Sequence, residues 1–194
     1  MTTVTIEPAT ADRWDDAQHA LTGGGDGRSC QCQWWTLTNA QFNAASADER
    51  RALMRDEIET GPPPALIAYV DGEAAGWVRV GPRAAQPRLA RTKAFTAISV
   101  EPWDDADVWA VTCFVVRREH RDTGLMACLL DAAIAFARDG GARVLEGYPI
   151  DPHAGRRVGS NQLFTGVVSA FLDAGFTEVG RDKPHRAVMS LELS

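Results

Sequence analysis

Lysine is nearly missing from this chain: Lys93 and Lys183 are the only two, and every other basic residue is arginine. Its 20 basic residues face 26 acidic ones, leaving a formal net charge of −6. A surface that grips nucleic-acid phosphates needs clustered Lys and Arg, so nucleic acid is excluded as a main partner. The balance leaves room instead for a cationic small molecule or a basic peptide. Tyrosine is also scarce, with only Tyr69 and Tyr148 available for phenolic chemistry. The four cysteines, Cys30, Cys32, Cys113 and Cys128, make no disulfide framework. Cys30-x-Cys32 is an unusual zinc-ligand spacing with no second pair beside it, and His19, His120, His153 and His185 are scattered, so no metal is expected. No apolar run is long enough to cross a bilayer, and Met1 opens no basic leader with an apolar core. A cytoplasmic, reduced protein with no membrane partner is expected. A P-loop is missing too. Gly23-Gly24-Gly25-Asp26-Gly27 follows no strand and reads as a flexible connector.

What is present is an ordinary globule. The 194 residues are 45% hydrophobic and 24% charged, which suits one domain over residues 1–194 with a sizeable core. Val4 to Glu7 alternates as a first strand. Thr10 can cap a helix through His19 or Leu21. Trp34 and Trp35 read either as an aromatic anchor or as the lining of an acceptor pocket. Ser46 and Glu49 form a capping box for a helix to about Ile58. Leu66–Val70 and Glu73–Val80 flank Asp71-Gly72, a strong hairpin turn. Arg83 to Arg91 is polar and irregular, and Phe95–Val100 is a short strand or an extended loop.

The centre of the chain is Val108 to Ala142. Val108–Val116 is a run of apolar and β-branched residues, as in a strand covered on both faces. From Gly124 onward, Met126, Leu129, Leu130, Ala133, Ile134 and Ala137 recur at helical spacing until Gly140-Gly141. Cys113 and Cys128 fall in this strand and helix and read as small buried hydrophobes. Between strand and helix lies a charged turn. Such a strand–turn–helix aims free backbone N–H groups and a helix dipole at one spot, which suits a phosphate. Arg143–Tyr148 is the next strand and makes a right-handed parallel crossover. A Gly-, Pro- and Arg-rich loop, Pro149 to Asn161, follows. A helix marked by Phe164, Val167, Val168, Phe171 and Leu172 comes next, then strands Thr177–Val179 and Ala187–Leu193.

Arg121-Asp122-Thr123-Gly124-Leu125-Met126 resembles motif A of the GCN5-related N-acetyltransferases, with Met126 where that motif has a small residue. Phe171-Leu172-Asp173-Ala174-Gly175-Phe176 resembles the family's motif B. The order of elements resembles the whole acetyltransferase fold: an α/β (α+β) domain with a mixed central sheet, flanking helices and splayed central parallel strands. The resemblance implies an acetyl-CoA-dependent N-acetyltransferase that moves an acetyl group to a primary amine of a small molecule or basic peptide by direct attack. It implies acetyl-CoA as co-substrate and leaves a homodimer open. The alternative is a non-catalytic acyl-CoA sensor on the same fold.

By the same resemblance, Phe114, Val115 and Val116 would pair with pantetheine, and one backbone N–H there would face the thioester carbonyl. The amides from Arg121 through Asp122, Thr123, Gly124 and Leu125 to Met126 would hold the pyrophosphate, with Arg117 and Arg121 adding charge. The family's usual acid is a tyrosine in the motif-B helix, and this chain has Phe171 there. Tyr148 is then the candidate acid and Glu146 the candidate base. The acidic run Glu101, Asp104, Asp105 and Asp107 is a candidate attractor of a cationic acceptor.

Overall fold

The computed structural model describes residues 2–23, 25–154 and 160–193. Gly24 of the glycine run and part of the Pro149–Asn161 loop lie outside the described residues. In chain order the helices are α1 (Trp14–Ala20), α2 (Gly27–Cys30), α3 (Asn39–Ala44), α4 (Ala47–Thr60), α5 (Lys93–Thr96), α6 (Leu125–Asp139) and α7 (Val168–Asp173). The strands are β1 (Val4–Pro8), β2 (Ala65–Val70), β3 (Glu73–Pro82), β4 (Val108–Val116), β5 (Val144–Gly147), β6 (Thr177–Lys183) and β7 (Arg186–Glu192). They form one sheet in the order β1-β2-β3-β4-β5-β7-β6. Only β4 and β5 run parallel, and α6 crosses between them.

Alternation along the strands divides the core into two layers. On one face Leu66, Val78, Val111 and Phe114 meet the stripe Leu129, Leu130, Ala133 and Ala137 of α6. Leu130 is fully buried, so Leu130→Ala would cost about 2–5 kcal/mol. On the other face Ile67, Trp77 and Val115 meet Ala17 and Ala20 of α1, Met54 and Ile58 of α4, and Trp35, Phe95 and Tyr148. Cys113 is buried as expected, whereas Cys128 is exposed. One helical step, about 100°, separates Cys128 from Leu129, enough to leave the buried stripe.

Local chemistry sets most element ends. Ser46 Oγ accepts from the Glu49 N–H at 3.2 Å while the Glu49 carboxylate accepts from the Ser46 N–H at 2.6 Å. A second capping box, Thr38 with Gln41, starts α3. Asp71 and Gly72 both have positive φ, 51° and 86°, which gives the expected tight hairpin turn. Three readings change. Thr10 makes no side-chain cap, and a 3-10 turn at Ala11–Arg13 precedes α1. Phe95–Val100 is no strand: Lys93–Thr96 is helical, and the Phe95 ring turns inward against Trp35 and Tyr148. The helix expected from Phe164 splits into a 3-10 turn, Ser160–Thr165, and α7. Gly166, at φ 84°, makes the break.

Candidate active site

The parallel pair comes apart where the site begins. β4 and β5 pair from Val108↔Val144 to Val111↔Gly147 and no further. Beyond that point β4 stays paired with β3 as far as Gly76↔Val116. Among the described residues, no strand therefore covers the other edge of β4 from Thr112 to Val116. Gly147, the last residue of β5, makes room for the Phe171 ring: a Cβ there would stand 2.1 Å from it. That ring fills the wedge beneath the gap, against Phe114 and Phe176.

The free edge of β4 leads into the turn before α6. Asp122 and Gly124 take left-handed backbone angles, φ 60° and 83°. They turn the chain so that α6 starts at Leu125. Gly124 is the N-cap and supplies no side-chain partner, so the first amides of α6 stay free of side-chain caps. The Arg121 side chain is used structurally. Its Nη2 donates to the Gly23 carbonyl at 2.8 Å and its Nε to the Val116 carbonyl at 3.2 Å. Thr123 donates to the His120 carbonyl at 2.7 Å.

A cavity of about 990 Å³ opens along this line. Phe114, Val115, Val116, Arg121, Asp122, Gly124, Leu125 and Met126 border it; Thr123 does not. Met126 also packs on the α6 core. Arg117 stays outside the lining and is held by Glu73, Glu119 and His19. The glycine run is more than a connector. A Cβ on Gly23 would lie 2.8 Å from the Arg117 backbone, and Gly25 and Gly27 border the cavity. At the cavity's other end stand Trp34, Trp35, Arg88, Phe95, Tyr148, Phe164 and Thr165. Arg88 was hidden in a stretch that is irregular but not exposed, since Arg83, Gln86 and Arg88 are all buried. No residue spacing in that stretch marks it as part of a site.

The two acid–base candidates sit together. Tyr148 borders the cavity with its ring, while its hydroxyl donates to Glu146 Oε2 at 2.8 Å. Glu146 is fully buried and absent from the lining. Its Oε2 also accepts from Arg83 Nη1 at 2.8 Å, and its Oε1 accepts from Ser99 at 2.6 Å. The Glu146 carboxylate is thus set back from the cavity, behind Tyr148, and its oxygens are taken by Arg83, Ser99 and Tyr148. Burial, then the Glu146 charge, pushes the Tyr148 phenol well above the usual tyrosine range. Phe171 is fully buried and lies outside the cavity lining. The acidic run is also occupied elsewhere. Glu101 and Asp105 pair with Arg143, and none of Glu101, Asp104, Asp105 and Asp107 borders the cavity. Among the described residues, no cluster of three or more His, Cys, Asp or Glu is placed to hold a metal ion. No helix of the described residues is long and apolar enough to cross a membrane.

A splayed parallel pair beside a glycine-started helix is the arrangement that the sequence resemblance calls for. The acetyltransferase (GNAT) family model matches residues 32–154, more than half of the chain. The chain belongs to the GNAT acetyltransferase family. Its members transfer acetyl groups from acetyl-CoA. No curated protein matches the chain in sequence. Solved structures share the fold at low identity. The yncA protein of Salmonella typhimurium, solved with its cofactor acetyl-CoA, is 16% identical with a TM-score of 0.55, over 98% of this chain and 94% of its own. An N-acetyltransferase from Staphylococcus aureus is 16% identical with a TM-score of 0.56, over 99% of both chains. A ribosomal-protein-alanine N-acetyltransferase from Brucella melitensis is 18% identical with a TM-score of 0.56, over 97% of this chain and 99% of its own.

Proposed function

We propose that this GNAT protein is an acetyl-CoA-dependent N-acetyltransferase that acetylates a primary amine of a small molecule by direct attack. The observation that carries the reading is the uncovered edge of β4 from Thr112 to Val116, which runs straight into the Gly124 turn. Pantetheine would lie along that edge beside Phe114, Val115 and Val116, and the pyrophosphate over the turn from Arg121 to Met126. The start of α6 supplies amides and the positive end of its dipole there. A backbone N–H on the free edge would stabilise the tetrahedral oxyanion. The amine would enter from the aromatic end, between Trp34, Trp35 and Phe95.

Glu146 acts in this reading as a positioning residue that fixes the Tyr148 hydroxyl. Tyr148 shapes the pocket. Its hydroxyl is committed to Glu146, and burial and the Glu146 charge make it hold its proton more tightly than an ordinary tyrosine, so in this reading the departing thiolate takes its proton from solvent. The test is thiol release from acetyl-CoA across a panel of small amines, with the acetylated product identified by mass. Amine-dependent release is the expected result. Acetyl-CoA binding with no release for any amine would mark a non-catalytic acyl-CoA binder.

A further inference from the structure

Arg88 is a buried cation that the described residues leave half unpaired at the aromatic end of the cavity. It is 7% exposed. Three contacts fix it: its backbone N–H donates to the Trp35 carbonyl at 3.1 Å, its Nη1 donates to the Asn39 side chain, and its guanidinium lies 3.8 Å from the Trp34 ring centroid. Its Nε and Nη2 find no hydrogen-bond partner among the described residues. These two N–H groups point the same way and form the side-on fork that matches both oxygens of a carboxylate. Among the described residues the cavity lining holds only two carboxylates, Asp26 and Asp122. Asp122 belongs to the turn before α6, and Asp26 adjoins Gly27, whose Cβ position abuts Val115. Residues 155–162 include no Asp or Glu. Two neutral groups on residues bordering the same cavity, Trp35 Nε1 and Thr165 Oγ1, are also buried without partners among the described residues. A buried guanidinium whose fork is unpaired is costly unless an anion completes it.

We propose that Arg88 receives a carboxylate of the acceptor, so that the substrate is a small amine that also bears a carboxylate. This deepens the acetyltransferase reading and rests on it. It replaces the expectation of a cationic or basic-peptide acceptor drawn from the net charge. Trp34 fixes the plane of the fork and Asn39 pins its far nitrogen, so the carboxylate would be held in one orientation and its amine presented toward β4.

The test uses amino acids, each paired with its C-terminal amide, on the wild type, Arg88→Met and Asn39→Ala. Acetyl-CoA titration by calorimetry reports the acetyltransferase reading separately. Ligand-observed NMR of each pair, without acetyl-CoA, reports the acceptor site on its own, and turnover adds the kcat and KM split. Wild type should favour the carboxylate over its amide by about 10- to 100-fold, as expected for two charge-assisted hydrogen bonds. Arg88→Met should abolish that preference with acetyl-CoA binding unchanged. Asn39 is exposed, so Asn39→Ala should fold even if Arg88→Met does not, and it should raise KM for the carboxylates alone. The proposal is overturned by wild-type protein that binds no carboxylate member, or binds amide and carboxylate alike. It is also overturned by variants that weaken both members equally, whatever the acetyl-CoA titration shows.

Discussion

The residue with the most at stake is Tyr148. Its hydroxyl is tied to Glu146, so removing it should disturb stability more than chemistry. Tyr148→Phe should lower kcat less than about tenfold and leave the shape of the pH profile unchanged. It should also cost about 1–2 kcal/mol in a denaturant titration, from the lost buried hydrogen bond. A fall in kcat of about 10²-fold would return the proton-donor role to Tyr148. The cysteines give a second check. Cys128 is exposed, Cys32 and Cys113 are buried, and burial pushes the Cys30 thiol up to about 11. One thiol should therefore label fast with an alkylating reagent under native conditions, and Cys128→Ser should remove that phase. Fast labelling that survives Cys128→Ser would show that the cavity thiols are open.

Among the elements, α4 and the entry to α6 matter most. α4 carries Glu57, which pairs with the buried Arg79 of β3, and its N-terminus depends on Ser46. Ser46→Ala should cost about 1 kcal/mol and lower Tm by about 2–4 °C. An unchanged melt would mean that tertiary contacts alone hold the first turn. Elements such as these were legible in the sequence because their signals are local. The capping box, the Asp71-Gly72 turn and the α6 stripe each lie within a few residues of one another, and the turn before α6 could be placed from Arg121 and Gly124. Other features depend on partners far along the chain. Glu146 read as a candidate base, and nothing near it in sequence announces its partners Arg83 and Ser99. Phe171 read as an empty acid position because Gly147 and Gly166, which seat its ring, lie on two other segments. Arg88 carried no signal, since its burial comes from Trp34 and Asn39.

The whole molecule is a sheet with a helical layer on each face and a wedge where two central strands part. Its surface is pinned by carboxylate pairs whose pKa values are depressed. Hydrogen bonds from His19, then Arg117, bring Glu73 down to about 2, and Asp105 and Asp151 are lowered by Arg143 and Arg181 respectively. A carboxyl depressed in the folded state stabilises above its unfolded pKa and stops doing so as pH falls through its folded one. Thermal melts should therefore be flat down to about pH 5 and fall between about pH 4.5 and about 2. The decline should be modest, because water screens these exposed pairs. Glu73→Gln should shrink it, and an identical pH dependence in that variant would remove Glu73 from the account. The central claim is that the free edge of β4 and the Gly124 turn together hold acetyl-CoA. Gly124 sits at φ 83°, where a β-branched side chain is strained, so Gly124→Val should distort the turn while leaving the α6 core intact. Calorimetric titration of acetyl-CoA into the wild type and into folded Gly124→Val is the most direct measurement. The account predicts saturable one-to-one binding in the wild type, weakened by about tenfold or more in the variant. Absence of binding in the wild type, or equal affinity in the two proteins, would contradict it.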